Sequence, residues 1–299
     1  MKSLLAALKK GNILISDGAW GTILHQRGLQ AGECPELWNE THHDEVFAIA
    51  KSYIDAGADM ILTNSFGGSP IKLNHYNLKK KAAELNELAG AISREAAGEN
   101  HFVLGSIGPT GAMLMMGDVS EQELYDGFFI QADALKRGGV DAICVETMSA
   151  LDEAQIAVRA AKDATGFEIV CTFTFEKKVD GHFRTMMGVT PEEMVSALKE
   201  ADADIIGANC GNGFEQMIDI VRDIRSVDRL IPILIHANAG LPIFKDGKTV
   251  FPETPDMMAS RVQELIASGA NIVGGCCGTT PAHIKALGNK IKEIKNDLI

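Results

Sequence analysis

Gly138-Gly139-Val140-Asp141-Ala142-Ile143-Cys144-Val145 carries the pattern on which the fold of this chain is read. Small residues close a helix, an Asp follows, and a short apolar run comes next. Glycine is favoured just past a helix end, and a short continuous apolar run after such a stop fits a strand buried on both faces. The same signals recur at Ala56-Gly57-Ala58-Asp59 before Met60-Ile61-Leu62, at Ala201-Asp202-Ala203-Asp204 before Ile205-Ile206, and at Ser268-Gly269-Ala270-Asn271 before Ile272-Val273. Four more apolar runs, Ile13-Leu14-Ile15, Phe102-Val103-Leu104, Glu168-Ile169-Val170 and Ile233-Leu234-Ile235, bring the candidate strands to eight, separated by helix-length segments.

Eight strand–helix units in roughly 250–300 residues match an α/β chain folded as a (β/α)8 TIM barrel. A doubly wound open sheet uses the same local pattern. No Ser/Pro-rich linker, charge block or low-complexity tract divides the chain, so residues 1–299 read as a single domain. The turns after the strands favour the barrel. They include Asp17-Gly18-Ala19-Trp20-Gly21-Thr22, Thr63-Asn64-Ser65-Phe66-Gly67-Gly68, Gly105 through Gly111, Glu146-Thr147, Thr172-Phe173-Thr174, Asn209-Cys210-Gly211, His236 through Gly240, and Gly274-Gly275-Cys276-Cys277-Gly278-Thr279-Thr280-Pro281. Barrel enzymes build their active sites from strand ends at that face.

Hydrophobic content of 46% and charged content of 23% describe a globular protein with ample core material. The net charge of −12 argues against a nucleic-acid binder, which would present a basic patch. No apolar run approaches the roughly 18–20 residues that span a bilayer, so no membrane partner is expected. Met1 through Lys10 read as a first amphipathic helix rather than an export signal. Six cysteines in 299 residues do not form a disulfide scaffold, which places the chain in the reducing cytoplasm.

Three of those cysteines stand apart. Cys144 and Cys171 lie inside strand runs and read as small core residues, and Cys34 beside Pro35 as an incidental loop thiol. Cys276 and Cys277 are neighbours in a glycine-rich turn after the eighth candidate strand, and Cys210 follows the sixth. A barrel would bring all three to its mouth, where three thiolates would leave one zinc position open, as in catalytic zinc sites. A disulfide between neighbours is strained, which disfavours a redox pair. The rival reading is a phosphate site, since the loops after strands seven and eight and a following helix N-terminus often bind phosphate in barrels. Thr280 as N-cap with Pro281 at the first helical position suits a helix start on either reading.

Other clusters carry less. His42-His43-Asp44-Glu45 lacks H-E-x-x-H spacing and fits a solvated helix start. Met113, Met115 and Met116 after Gly108-Pro109-Thr110-Gly111 fit either the floor of a flexible mouth or a plug at a barrel end.

The strand-end motifs, taken in order along essentially the whole chain, resemble the homocysteine S-methyltransferase family. The carriers are Asp17 through Thr22, Thr63 through Phe66, Gly108 through Gly111, Glu146-Thr147, Asn209-Cys210-Gly211 and Gly274 through Pro281. Within it, the Asp-Gly-Ala-aromatic-Gly-Thr opening and Asn238-Ala239-Gly240 with Pro242 are most similar to the homocysteine-binding module of cobalamin-dependent methionine synthase. The resemblance implies a (β/α)8 barrel with one zinc ion on Cys210, Cys276 and Cys277. It implies Asp17 and Glu146 at the substrate's amino group, backbone of Gly18 and Ala19 nearby, and Asn238 able to cap the zinc before substrate arrives.

The chemistry is coherent. A free thiol has a pKa near 8.5 and reacts as thiolate, and a coordinating thiol is deprotonated outright. The reaction that the resemblance implies is methylation of homocysteine, activated as a zinc thiolate, to methionine. The expected donor is methylcobalamin on a separate corrinoid protein, because folate-binding, corrinoid-binding and reactivation modules are not expected within residues 1–299. Asp180-Gly181-His182-Phe183-Arg184-Thr185 approaches the corrinoid-ligating pattern Asp-x-His-x-x-Gly but ends in Thr. Alternatives left open are an S-methylmethionine- or betaine-type donor, another thiol acceptor or reverse corrinoid demethylation, and a non-catalytic zinc-holding partner of a corrinoid protein.

Overall fold

The computed structural model describes residues 2–9, 11–245 and 247–296. Met1, Lys10 and residues 297–299, which the first-helix and single-domain readings include, lie outside the described residues. Eight parallel strands form the central sheet: β1 Leu14–Ile15, β2 Met60–Leu62, β3 Phe102–Ile107, β4 Ala142–Met148, β5 Ile169–Phe173, β6 Ile205–Asn209, β7 Ile233–Ala237 and β8 Ile272–Gly275. Their order is β1-β8-β7-β6-β5-β4-β3-β2, with β1 laid against β8. This is the expected barrel, and the doubly wound alternative falls.

The recurring Asp or Asn proves to be a clamp on the preceding strand. Asp141 N donates to Val103 O at 2.8 Å, and Asp141 Oδ2 accepts from Val103 N at 2.9 Å. Asp204 holds Ile169 and Asn271 holds Ile233 by the same pair of bonds, all between 2.8 and 2.9 Å. Asp59 grips Ile15 likewise, at 2.7 and 2.8 Å. Each clamp satisfies a strand-initial N–H that would otherwise be buried without a partner. Cations steady three of them: Arg94 pairs with Asp141, Lys162 lies 2.7 Å from Asp204, and Arg225 donates to Asn271 Oδ1 at 3.0 Å. Between β1 and β2 the seam is closed by side chains, by Asp59 at one end and by Asp17 Oδ2 accepting from Leu62 N at 2.8 Å at the other.

Alternation along the strands divides the core. Leu104, Ala142, Cys144, Val170, Ile205, Leu234 and Ile272 pack together inside the barrel, whereas Val103, Ile143, Ile169, Ile206, Ile233 and Val273 pack outward against helices. Each fully buried Ile, Leu or Val contributes roughly 1.5–3 kcal/mol. Leu4, from the short first helix Leu4–Leu8, joins the inner cluster at the N-terminal end of the strands, where Glu168 accepts from Leu4 N at 2.6 Å. That helix, and not the methionines, plugs a barrel end. Met113, Met115 and Met116 lie instead on the loop after β3, exposed by 41%, 76% and 70%. Two positions beyond the apolar layer, the same strands carry Ser106, Glu146, Thr172, His236 and Gly274, so the barrel turns polar toward its mouth. No helix among the described residues is long and apolar enough to cross a membrane.

Candidate active site

At that mouth lies a cavity of about 370 Å³. Cys210, Cys276 and Cys277 form one wall, Asp17 and Glu146 line it as well, and Trp20, Leu62 and Phe66 supply apolar surface. The three sulfurs lie within 4.8 Å of one another, with Cys210 and Cys277 Sγ atoms 3.7 Å apart.

Backbone bonds bring them there. Cys210 N donates to His236 O at 2.9 Å and Cys276 N to Ala237 O at 2.6 Å, so β7 lies between the two cysteine turns and positions both. Ala239 N donates to Cys277 O at 3.0 Å. Thr279 Oγ1 donates to Cys276 O at 2.7 Å and accepts from Ala19 N at 3.0 Å, pinning the cysteine turn to the turn after β1. Gly274 has no space for a side chain, because a Cβ would sit 2.8 Å from Asp17 O, Ser16 Cβ and His236 Cδ2.

The sulfurs suit a divalent cation. Cys276 and Cys277 donate to Cys210 and lower its pKa, while those same bonds to Cys210 and burial hold the other two thiols protonated. A cation among the sulfurs is what lets three neighbouring thiols ionise together. Zn–S bonds of about 2.3 Å at tetrahedral angles place sulfurs about 3.8 Å apart, close to the 3.7 Å seen here. Asn238 Oδ1 is buried and has no hydrogen-bond partner among the described residues. The three sulfurs present fit zinc.

The two carboxyls differ in what already holds them. Burial pushes Asp17 up to about 7 against the bonds it accepts. Its Oδ2 is engaged by Leu62 N at 2.8 Å and Trp20 Nε1 at 2.9 Å. Burial also pushes Glu146 up to about 7, with the negative charges of Asp17 and Cys210 adding to it and a bond from Ser106 opposing. Glu146 Oε1 accepts from Ser106, while among the described residues Oε2 has only Asn209 Nδ2 at 3.4 Å. Glu146 is thus the freer acceptor for a cationic group. Gly18 and Ala19 line the cavity, but Ala19 N–H is taken by Thr279 and Ala19 O accepts from Tyr53 OH at 2.6 Å.

Some residues were not anticipated. Glu36 reaches the cavity wall and accepts from Gly67 N at 2.6 Å and Cys34 Sγ at 3.2 Å, so Cys34 is a buried partner and not an incidental loop thiol. His236 also lines the cavity, its Nε2 without a partner among the described residues and its pKa lowered by burial to about 4. Asn209 is fully buried beside Glu146. Two of the donors that would serve a phosphate are engaged within the turn, Thr280 N with His283 Nδ1 at 3.2 Å and Thr279 N with Cys276 O at 3.1 Å. The Thr280–His283 bond also reverses the expected cap, with the third helical residue reaching back to Thr280. His43 and Asp44 lie exposed at the start of a surface helix, as expected. Asp180 through Arg184 form the turn and second strand of a hairpin that pairs Glu176–Lys177 with Phe183–Arg184, with an Asp180–Arg184 ion pair at 2.7 Å.

The family model for homocysteine S-methyltransferase matches residues 14–291. The chain belongs to the homocysteine S-methyltransferase family. It is thereby a member of a methyltransferase enzyme family that acts on homocysteine. Methionine synthase of Mycobacterium tuberculosis is 32% identical over 301 residues, covering 95% of this chain and 25% of that protein. The Mycobacterium leprae methionine synthase is 32% identical over 291 residues, covering 91% and 24%. The chain therefore spans about a quarter of the length of these relatives. Among solved structures, the metallated homocysteine methyltransferase MmuM from Escherichia coli superposes with a TM-score of 0.78 at 22% identity, covering 96% of this chain and 99% of that one. A methyltransferase from Methanosarcina mazei gives 0.64 at 12% identity, covering 98% of each chain. At those identities the structural likeness speaks for the fold.

Proposed function

We propose that this homocysteine S-methyltransferase family member converts homocysteine to methionine, with zinc held by Cys210, Cys276 and Cys277. The observation that carries the reading is the gathering of three sulfurs within 4.8 Å on the wall of a cavity that also holds Glu146. Bound zinc supplies the Lewis acidity that shifts the acceptor's thiol to its nucleophilic thiolate at neutral pH. Glu146 accepts the substrate ammonium, and Asp17 adds negative charge behind it. The two orient the acceptor and transfer no proton to the reacting sulfur. Gly18 and Ala19 form the wall beside the amino acid. Trp20, Leu62 and Phe66 limit water around the sulfur, which keeps its charge poorly solvated and reactive. As the new S–CH₃ bond forms, the donor's bond to the methyl group breaks and the donor keeps the electron pair.

For the donor we propose methylcobalamin carried on a partner corrinoid protein, with residues 1–299 acting as one homocysteine-binding unit. The support is sequence likeness to methionine synthase at 32% identity. The test offers free or protein-bound methylcobalamin, S-methylmethionine and betaine to zinc-loaded protein with homocysteine, and scores methionine. Turnover with the corrinoid donor alone is expected. Turnover with a sulfonium or betaine donor would reassign the donor, and no methionine from any of them would refute the enzyme reading.

A further inference from the structure

Asn209, the last residue of β6, has no solvent exposure and uses its amide fully. Oδ1 accepts from Thr147 N at 2.8 Å and from Thr172 Oγ1 at 2.7 Å. Nδ2 donates to Thr147 Oγ1 at 2.6 Å and faces Glu146 Oε2 at 3.4 Å. One side chain on β6 thus reaches past β5 to β4.

What it grips is irregular backbone. Val145 pairs with Cys171 and Met148 with Phe173, so β4 holds one residue more than β5 over that interval, a β-bulge at Glu146 and Thr147. Thr147 has φ of 63°, in the left-handed region that a β-branched residue avoids. Strain of this kind persists where the surroundings over-determine it, and bulges beside sites re-aim side chains. Here the re-aimed side chain is Glu146, on the cavity wall. On its other side Asn209 is bonded to Cys210, which also has a positive φ, of 59°, and whose sulfur belongs to the cluster. Asn209 therefore links the sulfur site to the carboxylate through a single buried side chain.

We propose that Asn209 is a positioning residue that fixes the separation of Glu146 from the sulfur cluster, so that the site measures the length of its thiol amino acid. The proposal rests on the homocysteine reading above. With the separation held, a spacer of two methylenes satisfies both ends, and cysteine, one methylene shorter, reaches only one. Asn209→Asp keeps both acceptor bonds but replaces the donor that faces Glu146 with a negative charge. Asn209→Ala removes the link altogether.

The test is calorimetric binding of L-homocysteine, L-cysteine and 4-mercaptobutanoate, which is homocysteine without its amino group, to zinc-loaded protein. In the parent, homocysteine binds more tightly than either of the others. In both Asn209 variants its advantage over 4-mercaptobutanoate falls by about tenfold or more, the worth of one charge-assisted hydrogen bond. Its advantage over cysteine shrinks, while zinc per chain and 4-mercaptobutanoate affinity are unchanged. An unchanged ratio, or equal weakening of all three thiols, overturns the proposal. Should the Asn209 variants not fold, Thr172→Val, which deletes one bond to Asn209, gives a smaller fall in the same ratio, and no fall overturns it. A parent that binds none of the thiols fails the homocysteine reading itself, and this proposal with it.

Discussion

Binding of L-methionine, the proposed product, to the metal-free chain is expected to weaken about tenfold between pH 8 and pH 6. Burial pushes Glu146 up to about 7. A carboxyl with that pKa is about nine-tenths ionised at pH 8 and about one-tenth at pH 6, and only the ionised form attracts an ammonium. Asp17 is pushed up to about 7 as well. If the ammonium needs both charges, the loss is about a hundredfold. Methionine's thioether does not titrate, so the acceptor's own ionisation stays out of the measurement. Stability of the ligand-free chain has the opposite sign. Both folded values lie above the ordinary 3.8 and 4.5, so the folded chain binds more protons over that interval. The contribution of these two carboxyls to stability falls as pH rises from about 4 to about 7 and is level above. A bound ammonium removes that cost, and the rise in Tm caused by methionine grows with pH. Calorimetry in two buffers of different ionisation enthalpy reads both the affinity and the proton released as the ammonium arrives, about half a proton per carboxyl at pH 7. Equal affinity at pH 6 and pH 8, or the same pH profile in Glu146→Gln, would refute the reasoning.

Two further outcomes test the frame around the cavity. Asp141→Ala leaves Val103 N–H without its clamp and is expected to cost about 1–3 kcal/mol in denaturant unfolding, with KM for homocysteine unchanged; an unaltered midpoint would show that the clamp does not stabilise the barrel. Gly274→Ala places a methyl group 2.8 Å from Asp17 O and His236 Cδ2. It should destabilise by about 1–3 kcal/mol and lower zinc retention by shifting the Cys276 turn, so parental stability with full zinc would contradict the packing described.

Much of the barrel was legible because its signals are local. A glycine or small residue that ends a helix, and an Asp that clamps the next strand start, act within a few residues of each other, as at Gly139 and Asp141. The sulfur site was legible for a different reason: adjacent cysteines in a glycine turn have no packing advantage, and a barrel leaves only one face where Cys210 can join them. Asn209 was visible as part of a motif but its contacts were not, since its partners Thr147, Thr172 and Glu146 come from two other strands and depend on barrel closure. The bulge that turns Glu146 is likewise unmarked, with a threonine where a left-handed residue would suggest glycine. Asp17 was read as a substrate residue, and its engagement in the β1–β2 seam follows only from seeing Leu62 N at its carboxylate. Glu36 escaped because nothing near Cys34-Pro35 signals that this loop folds over the cavity.

The central claim is that Cys210, Cys276 and Cys277 hold a zinc ion whose open position takes the substrate's sulfur. Metal content measured together with zinc-edge X-ray absorption, with and without homocysteine, tests it most directly. The expected result is one zinc per chain with three sulfur neighbours, rising to four when homocysteine is added, and loss of the metal in Cys210→Ala and Cys276→Ala. Zinc stoichiometry unchanged in both variants, or a sulfur count that homocysteine does not alter, would contradict it.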